Sequence, residues 1–292
     1  MIPLISVIIP TYKRRDKIEK AIQSLILQKF QNWEAIIVDN NSNDGTKEFI
    51  LNLNDKRFKF YEINNNGIIA KSRNYAIKLS NAEYIAFLDS DDWWSVNKLS
   101  LIKDYILMGY KFIYHNHWIY KKNSLLKKRK FISRKFSSNI YEDLLMSGPN
   151  FATSSVVVEK KKFIEIGCFD ENVELISWED YDAWLKFSKN NNNFAHINEF
   201  LSFITIDENN NLTNEKKIKN INYFYKKYLE KKNLQLPDWC NIELTKSLYL
   251  LKRYSEASSQ FSKINFGNLN FQQKIKMIII YILIKLKFLI KI

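Results

Sequence analysis

The sequence predicts an α/β fold with a mainly parallel central sheet, followed by a helical C-terminal extension. In its first half, short apolar runs rich in β-branched residues alternate with segments whose apolar side chains recur every three to four positions. This alternation is typical of a parallel sheet covered by helices. Several of the runs end in acidic or turn-forming residues, and the pattern beyond about residue 209 is mainly helical.

Strands and helices are predicted to alternate up to residue 88. The predicted strands cover residues 4–9, 33–38, 59–62 and 83–88. The helices between them are an amphipathic one with Ile18, Ala21, Ile22, Leu25 and Ile26 on its apolar face, a short one capped by Thr46, and one over residues 69–79.

The second half is less regular. Extended runs are predicted over residues 112–120, 154–158 and 194–206, with a helix over residues 180–189. A soft boundary is predicted after residue 208, which divides a catalytic domain (1–208) from a helical region (209–292).

Composition excludes several classes of protein. A hydrophobic fraction of 46% excludes a predominantly disordered chain. The six glycines are too widely spaced for a dinucleotide fingerprint or a Walker loop. Cys168 and Cys240 provide neither a disulfide framework nor a metal quartet, and they favour a reducing compartment. The net charge of +14 would attract nucleic acid, acidic lipid or phosphorylated substrates without choosing among them.

The two ends of the chain bear on its location. Residues 2–9 lack the basic leader and cleavage site of a signal peptide, so no secretion signal is expected. Near the C-terminus, lysines interrupt the apolar run over residues 277–284 and leave it too short to span a bilayer. This segment predicts a helix in the membrane interface. A helix packed on the protein or on a partner is the alternative, which gains weight because the lysines do not gather on one face.

Acidic residues follow two of the predicted strands. Asp39 comes directly after the second strand and could accept hydrogen bonds from a ribose or a base. Asp89 and Asp91 follow the fourth strand, where ligands of open α/β sheets bind, and one residue between them lets both reach a divalent ion. The alternative is an ordinary surface or capping role, with Asp92 or Ser95 capping the following helix.

Five motifs, in this order, resemble the family 2 glycosyltransferases. They are ISVIIPTY (5–12), IIVDNNSNDGT (36–46), KSRN (71–74), FLDSDDW (87–93) and WEDYD (178–182). The resemblance covers roughly residues 4–190. It implies a GT-A fold, a nucleotide-diphosphate sugar donor, a Mn²⁺ or Mg²⁺ ion, and inversion at the anomeric carbon by direct displacement.

The resemblance also implies roles for individual residues. Asp180 would be the catalytic base, and Asp91 with Asp89 would hold the metal. The nucleotide-sugar site would consist of Thr11, Tyr12, Asp39, Arg73, Asp89 and Ser90. Acceptor-side positions would be Asp92, Trp93, Ser154, Trp178 and Glu179. For Asp180, capping of the helix that begins there is the structural alternative.

These residues would suit a transfer reaction on chemical grounds. A cation stabilises the charge on a leaving diphosphate, and a carboxylate on the other face of the sugar deprotonates the attacking hydroxyl. The expected function is inverting, metal-dependent transfer of a hexose, with glucose or galactose favoured, from a UDP-sugar to a sugar hydroxyl. The acceptor would be a glycan or a polyprenyl-diphosphate-linked sugar used for bacterial O-antigen, capsule or lipooligosaccharide.

The expected location is the cytoplasm, at the inner face of the cytoplasmic membrane, with peripheral membrane contact. A nucleotidyltransferase of related fold and a non-catalytic basic protein that binds nucleic acid or membrane are the alternatives. No RRM, KH or zinc pattern is present, so nucleic acid is not expected as a partner. His115, His117 and His196 lack the spacing of a zinc site and are expected to pack or to contact the acceptor.

Overall fold

A computed structural model describes residues 2–121, 128–189, 191–206 and 212–289. The chain divides into two compact units. The sheet unit comprises Met1–Ile140 and Asn150–Asn210, and the helical unit comprises Tyr141–Pro149 and Asn211–Ile292. The boundary predicted after residue 208 lies outside the described residues. The sequence does not predict that the short segment Tyr141–Pro149 belongs with the C-terminal helices.

The described residues form nine strands in one sheet, in the order β3-β2-β1-β4-β8-β6-β9-β5, with β7 paired to β6. The strands are β1 (Ile5–Thr11), β2 (Trp33–Asp39), β3 (Phe58–Glu62), β4 (Tyr84–Phe87), β5 (Trp93–Trp94), β6 (Phe112–Tyr120), β7 (Lys128–Phe131), β8 (Val156–Glu159) and β9 (Phe194–Thr205). The longer ladders are parallel, which confirms the predicted fold class; β5 and β7 were not predicted.

Parallel pairing places the carboxyl ends of β1, β2 and β4 at one edge of the sheet. β1 pairs in parallel with β2 and with β4, and Thr11 is in register with Asp39. All seven residues of β1 and of β2 are buried, as expected for strands covered on both faces. The loops that carry the predicted site residues therefore begin next to one another, at the ends of neighbouring strands.

Helices cover this sheet and form the helical unit. Those of the sheet unit are α1 (Arg15–Ile26), α2 (Thr46–Leu51), α3 (Ile69–Leu79), α4 (Lys98–Leu107), α6 (Lys160–Glu165) and α7 (Glu179–Lys189). α5 (Ile140–Ser147) falls where the chain enters the helical unit, which contains α8 (Asn214–Phe224), α9 (Asp238–Leu250), α10 (Tyr254–Phe261) and α11 (Phe271–Leu289).

Two capping predictions are wrong. α2 begins at Thr46, and Asp44 accepts hydrogen bonds from the Thr46 hydroxyl at 2.6 Å and from its backbone N–H at 3.1 Å. Asp44 is therefore the capping acceptor. α4 begins only at Lys98, after Asn97, whose side chain makes no capping bond. The Leu99 backbone N–H in its first turn donates instead to Gln28 Oε1 at 3.0 Å. Asp92 is too far from this turn along the chain and is bonded elsewhere.

The helical unit has its own small cores. Met277 of α11 packs with Ile242 and Leu269, whereas Ile284 of the same helix packs with Leu248. Across the described part of the chain, α11 included, no helix combines the length and the apolar character that crossing a bilayer requires.

Candidate active site

A pocket of about 280 Å³ lies at the carboxyl ends of β1, β2 and β4. This is the edge at which open α/β sheets bind ligands. Its walls combine the loops after these strands with α3, and the lining residues are Pro10, Thr11, Tyr12, Arg14, Asn40, Asn65, Gly67, Ile69, Ser72, Asp89, Ser90 and Asp91. A larger cavity of about 640 Å³ lies beside Trp33 and Glu34, at the opposite end of β2, and contains none of the predicted site residues.

Thr11 and Tyr12 form the end of the pocket that follows β1. The Thr11 hydroxyl oxygen is buried and has no hydrogen-bond partner among the residues that the structure describes. A buried polar atom of this kind costs free energy unless a ligand or water satisfies it. Tyr12 is half exposed, with 49% of its surface accessible. One unsatisfied hydroxyl and one accessible ring therefore border the pocket.

Asp39 is buried next to the pocket rather than among its lining residues. Its carboxylate accepts hydrogen bonds from the Ser42 backbone N–H at 2.7 Å and from the Ser42 hydroxyl. Burial raises the pKa of Asp39, although the two hydrogen bonds from Ser42 oppose this shift. Asn40, the next residue, does line the pocket. Contact between Asp39 and a nucleotide stays a prediction.

Arg73 joins two predicted parts of the site. Its side chain is buried on α3, with Nη2 2.8 Å from Asp89 Oδ1 and Nη1 2.6 Å from Glu179 Oε1. Burial alone would lower the pKa of Arg73, but the charges of Asp89 and Glu179 raise it. Burial raises the pKa of Glu179, while Arg73 opposes the shift. The loop after β4 and the start of α7 therefore meet at one guanidinium.

Asp91 faces a second arginine. Its Oδ2 lies 3.1 Å from Nη1 of Arg14, and both side chains are about one-fifth exposed. Burial and the neighbouring charge of Asp89 raise the pKa of Asp91, and Arg14 lowers it. Ser90, between the two acids, is buried and also lines the pocket.

Asp89 and Asp91 fit one way of holding a divalent cation. Mg²⁺ and Mn²⁺ commonly take one or two carboxylates from the protein and complete their shell with water and substrate phosphate. Both carboxylates line the pocket, and no cluster of three or more His, Cys, Asp or Glu side chains suited to a metal occurs among the described residues. Asp89 and Asp91 are thus the candidate cation ligands of this pocket, and metal binding stays a prediction.

Asp180 lies at the start of α7, beside Glu179. Its Oδ2 accepts a hydrogen bond from the Thr153 hydroxyl at 2.6 Å, and its Oδ1 accepts one from the Tyr181 backbone N–H at 2.7 Å. The second bond is local and matches the capping alternative. The first fixes the carboxylate against a segment that precedes β8. Asp180 is only partly buried, so it retains contact with solvent.

Asp92 and Ser154 are hydrogen-bonded to each other, and their contact with an acceptor stays a prediction. Both side chains are buried, and the Ser154 hydroxyl donates to Asp92 Oδ2 at 2.6 Å while accepting from the Asp89 backbone N–H at 3.0 Å. Asp92 Oδ1 accepts from the Thr205 backbone N–H at 2.8 Å. These two residues therefore connect the loop after β4 to β9 by hydrogen bonds. Their side-chain oxygens are bonded inside the protein.

The aromatic candidates pack within the fold. Trp93 stacks on Phe203, with ring centroids 5.1 Å apart and an interplanar angle of 5°, and Lys20 Nζ lies 3.1 Å from the centroid of its ring. Trp178 contacts Tyr181 edge to face at 5.8 Å. Both tryptophans are half-buried. Stacking of either ring on a sugar stays a prediction.

The histidines pack in the sheet. His115 is fully buried, and its Nδ1 lies 2.8 Å from the backbone oxygen of Asn116. His117 stacks on Phe131, and burial lowers its pKa to about 4. His196 stacks on Tyr114. Packing is thus their observed role.

Sequence reasoning missed Arg14 and the hydrogen bond between Thr153 and Asp180. Arg14 is in the loop after β1, two positions beyond Tyr12, and this position is the signal that could have found it. Thr153 is 27 residues from Asp180, and nothing in the sequence indicates their hydrogen bond.

The sequence also matches a known family. Residues 6–167 match the family described as Glycosyl transferase family 2. The chain belongs to this family.

Two curated relatives extend the comparison. The chain is 30% identical over 190 residues to Escherichia coli WfgD, named a UDP-Glc:alpha-D-GlcNAc-diphosphoundecaprenol beta-1,3-glucosyltransferase; the match covers 65% of this chain and 71% of WfgD. It is 27% identical over 248 residues to Bacillus subtilis TuaG, named a putative teichuronic acid biosynthesis glycosyltransferase, with 84% of this chain and 96% of TuaG covered.

Solved structures show the same fold. S. aureus TarS, residues 1–349 in complex with UDP, superposes with a TM-score of 0.60 at 20% identity, over 90% of this chain and 76% of that one. The mannosyltransferase PcManGT of Pyrobaculum calidifontis, solved with GDP-Man and Mn²⁺, gives a TM-score of 0.59 at 13% identity, over 95% and 79%. The GT-A fold predicted for this family 2 glycosyltransferase is confirmed.

Proposed function

We propose that this family 2 glycosyltransferase transfers a hexose, with glucose or galactose favoured, from a UDP-sugar to a sugar hydroxyl with inversion. The observation that carries the proposal is the position of Arg73, which contacts Asp89 at the donor pocket and Glu179 beside Asp180. One guanidinium thus links the loop that carries the candidate cation ligands to the first turn of α7, which carries the candidate base. Direct displacement needs both in one place.

The donor occupies the 280 Å³ pocket in this proposal. Its Thr11 hydroxyl, Tyr12 ring and Arg14 guanidinium offer a hydrogen bond, a stacking surface and a positive charge to a nucleoside diphosphate. Support for a UDP-sugar comes from WfgD, whose name specifies UDP-Glc, and from TarS, which was solved with UDP.

Asp89 and Asp91 would hold Mn²⁺ or Mg²⁺ together with the donor diphosphate. The ion would stabilise the negative charge that develops on the leaving diphosphate. Support comes from the carboxylate pair itself and from PcManGT, a protein of the same fold that was solved with Mn²⁺. Arg73 holds Asp89 in position for this role.

Asp180 acts as the general base. Its carboxylate removes the proton of the acceptor hydroxyl as that oxygen attacks the anomeric carbon, and the nucleotide leaves from the opposite face. The hydrogen bond from the Thr153 hydroxyl orients Asp180, and Glu179 is kept away from this task because it pairs with Arg73.

The acceptor in this proposal is a growing glycan or a sugar on polyprenyl diphosphate, used for a bacterial surface polysaccharide such as O-antigen, capsule or lipooligosaccharide. WfgD, whose name specifies a diphosphoundecaprenol-linked acceptor, and TuaG, named for teichuronic acid biosynthesis, support this setting. The protein would work at the inner face of the cytoplasmic membrane, in peripheral contact with it.

Calorimetric titration with UDP, with and without Mn²⁺ and at two salt concentrations, tests the proposal. We expect binding that requires Mn²⁺ and persists at the higher salt. A parallel titration with RNA serves as the control, because non-specific binding of a cationic protein to RNA falls steeply with salt. Salt-sensitive RNA binding without UDP binding would contradict the proposal. Donor hydrolysis with UDP-, GDP- and dTDP-sugars then identifies the sugar nucleotide.

A further inference from the structure

We propose that one exposed face of α11 docks the protein on an anionic phospholipid surface. This inference rests on the proposed function, because a lipid-linked acceptor would place the substrate at such a surface, and it assigns the contact to particular residues. The face, called the outward face below, begins with Phe271 and comprises Ile275, Ile278, Ile279, Ile282, Leu283 and Leu286.

The outward face is apolar and exposed along the whole helix. Phe271 exposes 77% of its surface, and Ile279 and Ile282 each expose 51%. Its members recur at intervals of three and four residues, which places them in one stripe on an α-helix. At 3.6 residues per turn and a rise of 1.5 Å per residue, this stripe covers an arc of about 140° and is about 23 Å long. An exposed apolar patch of this size marks an interaction surface.

The opposite face of α11 is already used. Met277 and Ile284 are fully buried in the small cores of the helical unit, and Tyr281 stacks on Phe261 with ring centroids 4.5 Å apart. The helix is therefore anchored to its own unit by one side and presents a second apolar side to the surroundings. Packing within the unit explains the first face and does not explain the second.

Lysines border the outward face on both sides. With 100° per residue, Lys274 and Lys285 fall along one border of the stripe, and Lys276 and Lys287 fall along the other. The helix contains four lysines and no acidic residue. A helix that lies in a membrane interface has this arrangement, because its lysines extend to the lipid headgroups while the apolar residues between them enter the acyl region. The lysines therefore do not gather on one face of the helix, because they lie along both borders of the outward face.

The charge of the chain is concentrated in the same region. Residues 209–292 contain 16 Lys and Arg against 5 Asp and Glu, a net charge of +11 out of +14, whereas residues 1–208 have 29 against 26, a net charge of +3. A positive unit that surrounds an apolar stripe complements an anionic bilayer. A second copy of the chain would instead bring two such positive regions together, which like-charge repulsion opposes.

Vesicle sedimentation of the full chain tests the proposal. The probes are vesicles of phosphatidylcholine alone and vesicles of phosphatidylcholine and phosphatidylglycerol in equal parts, without donor or acceptor. We expect strong partition onto the anionic vesicles, weakened by salt, and little onto the neutral ones. The double variant Ile279→Glu/Ile282→Glu should lose at least about ten-fold in partition, because it places charge in the acyl region.

Matched variants distinguish the contribution of the outward face from a general effect of added negative charge. Leu250→Glu introduces a charge at another exposed leucine of the helical unit, which is 61% exposed, and should leave partition nearly unchanged. Lys276→Glu/Lys285→Glu changes one lysine on each border and should also weaken partition at least ten-fold, since each lysine near an anionic surface contributes roughly five-fold. Deletion of the helix is unsuitable, because it would also remove Met277 and Ile284 from their cores.

Two results would overturn the inference. The first is unchanged partition of the Ile279→Glu/Ile282→Glu variant. The second is a wild-type protein that does not bind anionic vesicles and is a dimer in solution, while the Ile279→Glu/Ile282→Glu variant is a monomer. That result would assign the outward face to a second copy of the chain. UDP binding of the same variants without vesicles is the independent readout for the proposed function. A wild-type protein that binds UDP but does not partition onto anionic vesicles would overturn this inference alone, whereas one that partitions but does not bind UDP would overturn the proposed function alone.

Discussion

Arg73 and Glu179 form a buried ion pair, with Nη1 and Oε1 2.6 Å apart, although 106 residues separate them in the chain. The second terminal nitrogen of Arg73 contacts Asp89 at 2.8 Å. Arg73 and Glu179 are buried, whereas the Asp89 side chain is 31% exposed. Burying a charged pair is costly unless the two charges satisfy one another. The arrangement therefore couples the position of the loop after β4 to the first turn of α7, which carries Asp180.

A double-mutant cycle with Arg73→Met and Glu179→Gln measures this coupling. We expect an interaction energy of about 2 kcal/mol in urea unfolding, because each single variant leaves the other side chain buried without its partner. The exposed pair Lys162–Glu165, with N and O 2.8 Å apart, is the matched control and should give a much smaller interaction energy, because solvent screens it. Equal values for the two pairs would mean that the buried pair does not couple these elements.

Asp91→Asn should abolish the effect of Mn²⁺ on UDP binding. The variant keeps the size of the side chain but removes the charge that a divalent cation requires. Isothermal titration with UDP, at fixed Mn²⁺, should show at least about a ten-fold loss of affinity. Asp104→Asn, which changes a solvent-accessible acid on α4, should behave like the wild type. A Mn²⁺ dependence that survives in Asp91→Asn would contradict the metal assignment.

Ser154→Ala tests whether the loop after β4 is positioned from within the protein. The variant removes a donor to Asp92 and an acceptor for the Asp89 backbone N–H, so the free energy of unfolding should fall by about 1–3 kcal/mol. The affinity for UDP with Mn²⁺ should also fall, because Asp89 is less well held. Ser155→Ala also removes a buried hydroxyl, one that donates to the Ala152 carbonyl, and should lower stability without changing that affinity. Equal UDP affinities for the two variants would refute the positioning role.

His117 should make the protein less stable in acid. Burial lowers its pKa from 6.5 to about 4, and its Nδ1 has no hydrogen-bond partner within the described ranges of the chain. Between these pH values the unfolded chain binds more protons than the folded one, so stability falls as the pH drops from 6.5 towards 4, by about 3 kcal/mol. His117→Phe keeps the stacked ring against Phe131 and should reduce this fall. Urea unfolding at pH 7 and pH 4.5 measures it, and identical pH dependence of variant and wild type would rule the effect out.

Local sequence pattern was sufficient for much of the fold. The limits of α3 and β6 agree with those predicted, because each has a clear period or a continuous β-rich run and ends at turn formers. The short β5 and β7 escaped prediction, since a two-residue strand and a basic four-residue strand have no period of their own. Their pairing depends on β9 and β6, which is a tertiary property.

At the site, burial and long-range pairing limit what can be predicted from the sequence. The motifs indicated which acids follow which strands, and the parallel register brought those strand ends together. They did not indicate that Asp91 lines the pocket while Asp92 is bonded to Ser154 inside the protein. Adjacent residues after a strand point in different directions, and only the packing around them decides which one reaches a ligand. The contacts of Arg14 and Thr153 likewise depend on the folded chain.

The most direct test of the central claim is to compare turnover and donor affinity in Asp180→Asn. The account predicts that sugar transfer falls by at least about a thousand-fold, because the amide cannot accept the acceptor proton, while UDP with Mn²⁺ binds nearly as tightly as it does to the wild type. An Asp180→Asn variant that retains most of its transfer activity would contradict the assignment of the base and, with it, the proposed convergence of two acidic segments on one reaction centre.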